Sequence, residues 1–125
     1  MTGIEHKAGS AVTHIYKIVS RSDWRAAEAA SVFHGAAVDL ADGFIHFSTA
    51  EQVEETAARY FAGQTDLLLV AVNAAKLGDA LRWEASRGGA LFPHLYAPLS
   101  FEAVAKVDPL PIGADGRHAF SGLLK

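Results

Sequence analysis

At 125 residues, half of them hydrophobic and a fifth charged, the chain has the length and composition of one globular domain with its own core. A net charge of -3, with no two adjacent Lys or Arg, excludes the basic stripe that neutralises phosphates in nucleic-acid binders, so no nucleic-acid partner is expected. The lack of cysteine removes disulfides, thiol nucleophiles and thiolate metal sites.

Residues 1–12 are polar and glycine-containing and read as a flexible N-terminal arm, with no apolar core of a secretory signal. Residues 13–19 (THIYKIV) are β-branched and aromatic and predict a strand, with His14 and Tyr16 on one face. That face is either a cleft wall or the wet side of an edge strand. Ser22 offers an N-cap oxygen for an alanine-rich helix that turns Trp24 and Ala27 inward. AAVDLADG after Gly35 reads as a turn-rich connection with Asp42-Gly43 as its turn.

Residues 44–48 predict a second strand that sets Phe44, His46 and Ser48 on one face. A helix is expected at once, opened by a Thr49/Gln52 capping box, with Val53, Ala57, Tyr60 and Phe61 as its apolar stripe. Residues 67–72 form the longest apolar run. It is a buried strand in length and far too short to cross a bilayer, so no membrane partner and a cytoplasmic setting are expected. Residues 81–84 predict a strand, SRGGALFPHLYAPL a long loop, and residues 101–107 a last strand. Residues 13–110 are thus expected to form the domain, with 111–125 as a C-terminal tail. The element order gives an α+β class.

Candidate chemistry gathers on three histidine segments. His46 and Ser48 end a strand where an expected helix N-terminus offers N–H groups to an anion; alternatively Ser48 and Thr49 merely cap and His46 is a satisfied core histidine. Phe92, His94 and Tyr96 cover either the core or a flat ligand ring. Glu84 beside Trp83 is either an acid–base candidate or a solvated strand end. No P-loop, HExxH, GxSxG or GxGxxG occurs. No histidines pair at helical i, i+4 spacing for a zinc site, so no metal is expected.

IYKIVSRSDW, DGFIHFSTAEQV, LRWE and LFPHLYAPL, in that order between about Thr13 and Leu110, resemble the bacterial domain-of-unknown-function family 952. That resemblance implies a split, antiparallel-rich β-sheet similar to the ADP-ribosyltransferase fold, which grips NAD in a central cleft. It implies His14, Tyr16, Ser48, Thr49, Phe92, His94 and Tyr96 as cofactor-binding residues, with Glu84 and His46 catalytic and Glu102 as an alternative carboxylate. Ala50 stands where a Ser-Thr-Ser motif would have its last Ser, and the residue that usually precedes the catalytic Glu by two is absent. The function expected is binding of NAD or an ADP-ribose-type nucleotide, with NAD cleavage or ADP-ribosyl transfer. The alternatives are a two-histidine phosphoesterase and a catalytically silent nucleotide-binding module.

Overall fold

The structure, a computed structural model, describes residues 13–124; the arm expected at 1–12 lies outside the described residues. In chain order the elements are β1 (His14–Ser20), α1 (Arg21–Ala30), β2 (Val32–Phe33), α2 (Ala37–Asp42), β3 (Ile45–His46), α3 (Val53–Tyr60), β4 (Leu67–Asn73), β5 (Leu81–Ala85), β6 (Leu91–Leu95), β7 (Leu99–Ser100) and β8 (Val104–Leu110). They form a small single domain of mixed α/β content. Its antiparallel sheets have the orders β1-β4-β8, β3-β6-β5 and β2-β7.

The apolar run of β4 occupies the middle of the first sheet, as a continuous apolar strand must if both faces are covered. Leu68, Val70 and Val72 join Ile15 and Val19 of β1 in one core cluster, against Trp24 and Ala27 of α1, Ile45 and Leu95 of the second sheet, and Phe47 just after β3. Leu67, Leu69 and Ala71 join Tyr16 and Ile18 in another, against Val53 and Ala57 of α3. Strand β1 is therefore buried on both faces, and the wet face considered for Tyr16 is absent: Tyr16 is 2 % exposed. Each fully buried Ile, Leu or Val contributes about 1.5–3 kcal/mol, which is why the two clusters fix the register of β1 on β4.

Several local signals act elsewhere than expected. Helix α1 is capped by Ser20, whose Oγ accepts from the Asp23 N–H at 3.1 Å, and Ser22 Oγ only meets Ser20 Oγ. Residues 37–42 are a helix rather than a turn, and Asp42-Gly43 is its end: Gly43, at φ +88°, donates its N–H to the Asp39 carbonyl. Helix α3 begins at Val53. The Thr49/Gln52 pair instead closes a turn, the Thr49 N–H donating to Gln52 Oε1 at 3.0 Å. Residues 101–103 form a 3-10 turn before β8. In the tail, Phe120 enters the second core cluster and His118 Nε2 donates to the Gln64 carbonyl at 2.8 Å.

The largest correction concerns residues 91–95. They were expected in a long loop and instead form the central strand of the second sheet, paired with β3 on one side and β5 on the other. Pro93 misled, because a proline argues against a central strand. It is tolerated in mid-strand because it lies opposite the end of β3. The Phe47 N–H donates to the Pro93 carbonyl at 3.0 Å, but Pro93 has no N–H to return, so β3 stops at His46. The chain then crosses to the first sheet, where Ser48 exchanges backbone hydrogen bonds with Tyr16 at 2.8 and 2.9 Å. That crossing ties the two sheets together along one wall of a cleft.

Candidate functional site

Antiparallel pairing of β3 with β6 places His46 directly opposite His94, with ring centroids 5.5 Å apart. Phe44 stacks on His94 at 4.2 Å and tilts against His46 at 4.6 Å, fixing both rings from one side. Both histidines line a cavity of about 590 Å³. Its apolar wall comes from Tyr16, Ile18, Phe47, Tyr60, Phe61 and Phe92, and its polar groups from Lys17, Asp42, Ser48, Thr56 and Ser86. The size suits a ligand of nucleotide dimensions, and largely apolar walls with few convergent polar groups are the usual make-up of a small-molecule site.

Behind His46 lies a buried charge network. The Asp39 side chain is fully buried and accepts from four sources: Lys17 Nζ at 2.8 and 3.0 Å, His46 Nδ1 at 2.6 Å, the His46 N–H at 3.1 Å and the Ala36 N–H at 2.8 Å. Burial pushes the Asp39 carboxyl up, but the His46 bond, the Lys17 charge and hydrogen bond and the Ala36 N–H outweigh it and hold the group at about 2. Burial likewise pulls the Lys17 ammonium below its ordinary value, against the opposing pull of Asp39. An ionised Asp39 only accepts, so Nδ1 of His46 carries the hydrogen in that contact. On the ring's other side, Asp42 Oδ2 lies 2.9 Å from Nε2.

His94 has a separate carboxylate. Its Nδ1 lies 2.7 Å from Glu84 Oε1, which also accepts from the Tyr96 hydroxyl at 2.8 Å. The bonds from His94 and Tyr96 hold the Glu84 carboxyl below its usual range, and the bond to Glu84 pushes the Tyr96 phenol up. Arg82 stacks over the Tyr96 ring at 4.7 Å. Each imidazole is thus oriented through Nδ1 by a carboxylate. This is the arrangement of histidines that take and give protons.

The structure brings most of the expected residues to this place, with altered duties. His46, His94, Tyr16, Ser48 and Phe92 line the cavity. Glu84 and Tyr96 stand behind His94 and are not lining residues. Ser48 makes no helix cap; its Oγ meets Thr56 Oγ1 at 2.8 Å. Because the Thr56 hydroxyl donates to the Gln52 carbonyl, Ser48 is the donor. The anion site expected at a helix start right after Ser48 is therefore not formed, since α3 opens five residues later. Thr49 sits half-buried in that intervening turn. His14, at the start of β1 opposite Asn73, and Glu102, in the 3-10 turn, do not line the cavity.

Lys17 and Asp39 were missed. A lysine in the middle of a strand otherwise reading IY-IV was the available signal, because a charge at a core position demands a buried partner. Among the described residues, no three or more His, Asp or Glu are placed to hold a metal ion, and no helix is long and apolar enough to cross a membrane.

Comparison with known proteins adds relatives but no activity. The crystal structure of protein CC0527 from Caulobacter crescentus is 56% identical, with a TM-score of 0.83, covering 87% of this chain and 96% of that one. The solution NMR structure of CC0527 is 55% identical, with a TM-score of 0.80, covering 89% and 96%. No curated protein matches the chain. A family profile described as protein of unknown function (DUF952) matches residues 18–107, most of the domain, and the chain belongs to that family.

Proposed function

We propose that the cleft binds NAD or an ADP-ribose-type nucleotide and that His46 and His94 are its acid–base pair, acting at the ribose or phosphate of that ligand. The observation that carries the reading is the register of β3 on β6: two imidazoles, each backed by a carboxylate at Nδ1, meet on the wall of one cavity. The aromatic lining suits a flat base or nicotinamide ring better than an extended backbone. An ADP-ribosyltransferase-like fold, which belongs to this proposal, would favour the same ligand class by analogy.

In this reading Glu84 is a positioning residue. Its carboxylate is engaged by His94 and Tyr96, so it acts on a ligand through His94 rather than by gripping a ribose hydroxyl. A proton leaves or reaches the ligand at an imidazole Nε2, while the carboxylate at Nδ1 stabilises the positive charge that the ring gains.

A two-histidine phosphoesterase is the second reading, and the pairing of His46 with His94 favours it. Only one of the two histidines, His46, has a hydroxyl two residues on in the same cavity, Ser48, so the pattern of that enzyme class is half present. Calorimetric titration with NAD, ADP-ribose and a 2′,3′-cyclic nucleotide separates the readings. Binding of NAD or ADP-ribose, lost in His94→Gln, supports the first. Selective binding and ring opening of the cyclic nucleotide supports the second, and binding of none of the three defeats both.

A further inference from the structure

Asp42 stands where a helix disfavours a carboxylate. It is the last residue of α2, next to the cap Gly43, where unpaired carbonyls concentrate negative charge. Its side chain is about half exposed, at 48%, yet it lines the cavity and sets Oδ2 2.9 Å from Nε2 of His46. The opposite nitrogen of the same ring is committed to the buried Asp39 at 2.6 Å. An anionic oxygen at this distance is attracted to an N–H and repelled by a bare nitrogen lone pair. Behind the ring, Lys17 compensates Asp39. The negative charge of Asp39 is therefore already matched, and the ring is left to answer to whatever anion faces Nε2.

We infer that Nε2 of His46 is an anionic-oxygen subsite of the cleft, taken in this structure by the Asp42 carboxylate, and that the ligand carries a phosphate or carboxylate oxygen that displaces it. The inference rests on the proposed cleft and assigns the place in it where the ligand's anionic oxygen sits. Displacement is cheap, because a half-exposed ion pair contributes little and this one is opposed by the helix end. A phosphate brings more charge and several acceptor oxygens to the same N–H. Asp42 thus sets a threshold: neutral ligands leave it in place, and anionic ones compete with it.

The test uses the whole chain, with inorganic phosphate as the anionic probe and adenosine as the neutral one. The readouts are the His46 ring ¹⁵N resonance and the affinity of each probe. Phosphate is expected to move the His46 signal and to bind about threefold to tenfold tighter to Asp42→Ala, the scale of losing one competing surface ion pair. Adenosine affinity is expected to stay unchanged. Asp42→Asn, which keeps the shape without the charge, is the check if the alanine variant folds poorly. A His46 signal that phosphate does not move overturns the inference, as does equal or weaker phosphate binding by both variants. Equal tightening of adenosine also overturns it, since that means Asp42 only blocks space. Phosphate binding at His46 without any binding of NAD or ADP-ribose keeps the anion subsite and defeats the nucleotide reading. NAD binding that is unchanged in Asp42→Ala does the reverse.

Discussion

Replacing Asp39 by Asn tests the buried network that holds His46. The substitution keeps the shape and removes the charge that Lys17, 6% exposed, depends on. Removing one partner of a buried pair leaves an uncompensated charge, which costs about 3–5 kcal/mol. A domain of this size has about 5–15 kcal/mol of stability in all, so the variant should remain folded but melt about 10–20 °C lower. Urea unfolding at neutral pH of wild type, Asp39→Asn, Lys17→Met and the double variant measures the coupling directly. The double variant should recover part of the Asp39→Asn loss, because Met needs no partner. A loss under about 1 kcal/mol in Asp39→Asn, or strict additivity in the double variant, would refute the argument. The pH dependence follows from the same residue. Its folded carboxyl lies at about 2 against an ordinary 3.8, so the folded state binds fewer protons between these values. The associated stability, about 2 kcal/mol, is fully present above about pH 4 and lost as the pH falls towards 2. Asp39→Asn should flatten that limb of the stability curve.

Gly35 adopts φ +120°, and a Cβ there would lie 2.7 Å from Asp39 Cβ. Gly35→Ala should cost at least about 2 kcal/mol in thermal unfolding, since backbone strain and a displaced Asp39 add together. Glu84→Gln should leave nucleotide affinity nearly unchanged and slow turnover by about tenfold to a hundredfold, as the carboxylate that orients His94 is lost. An unchanged rate would show Glu84 to be no more than a strand-end acid.

The regular elements were largely legible in the sequence because apolar periodicity reports burial directly. The run at 67–72 is the central strand, and Trp24 with Ala27 is the inner face of α1. Two things were hidden. Pro93 disguised a central strand as a loop, because its one missing N–H is absorbed by the end of β3, a long-range fact. The Lys17–Asp39 pair joins residues 22 apart, and Asp39 looked like a turn residue until α2 turned its carboxylate inward. His46, His94 and Glu84, the carboxylate partner of His94, were all recognised as candidates, while Asp39 and Asp42, the two carboxylates at His46, depend on packing that no local pattern encodes.

The central claim is that His46 and His94 form one ligand-binding acid–base pair. It is tested most directly by a heteronuclear NMR titration of the full chain with ADP-ribose, following the imidazole resonances of both histidines together with the backbone signals of Ser48 and Thr56. Concerted, saturable shifts of both rings with one dissociation constant, abolished in His94→Gln, are the predicted result. Shifts confined to the separate groove around Glu54, Arg117 and His118, with both rings unmoved, would contradict it.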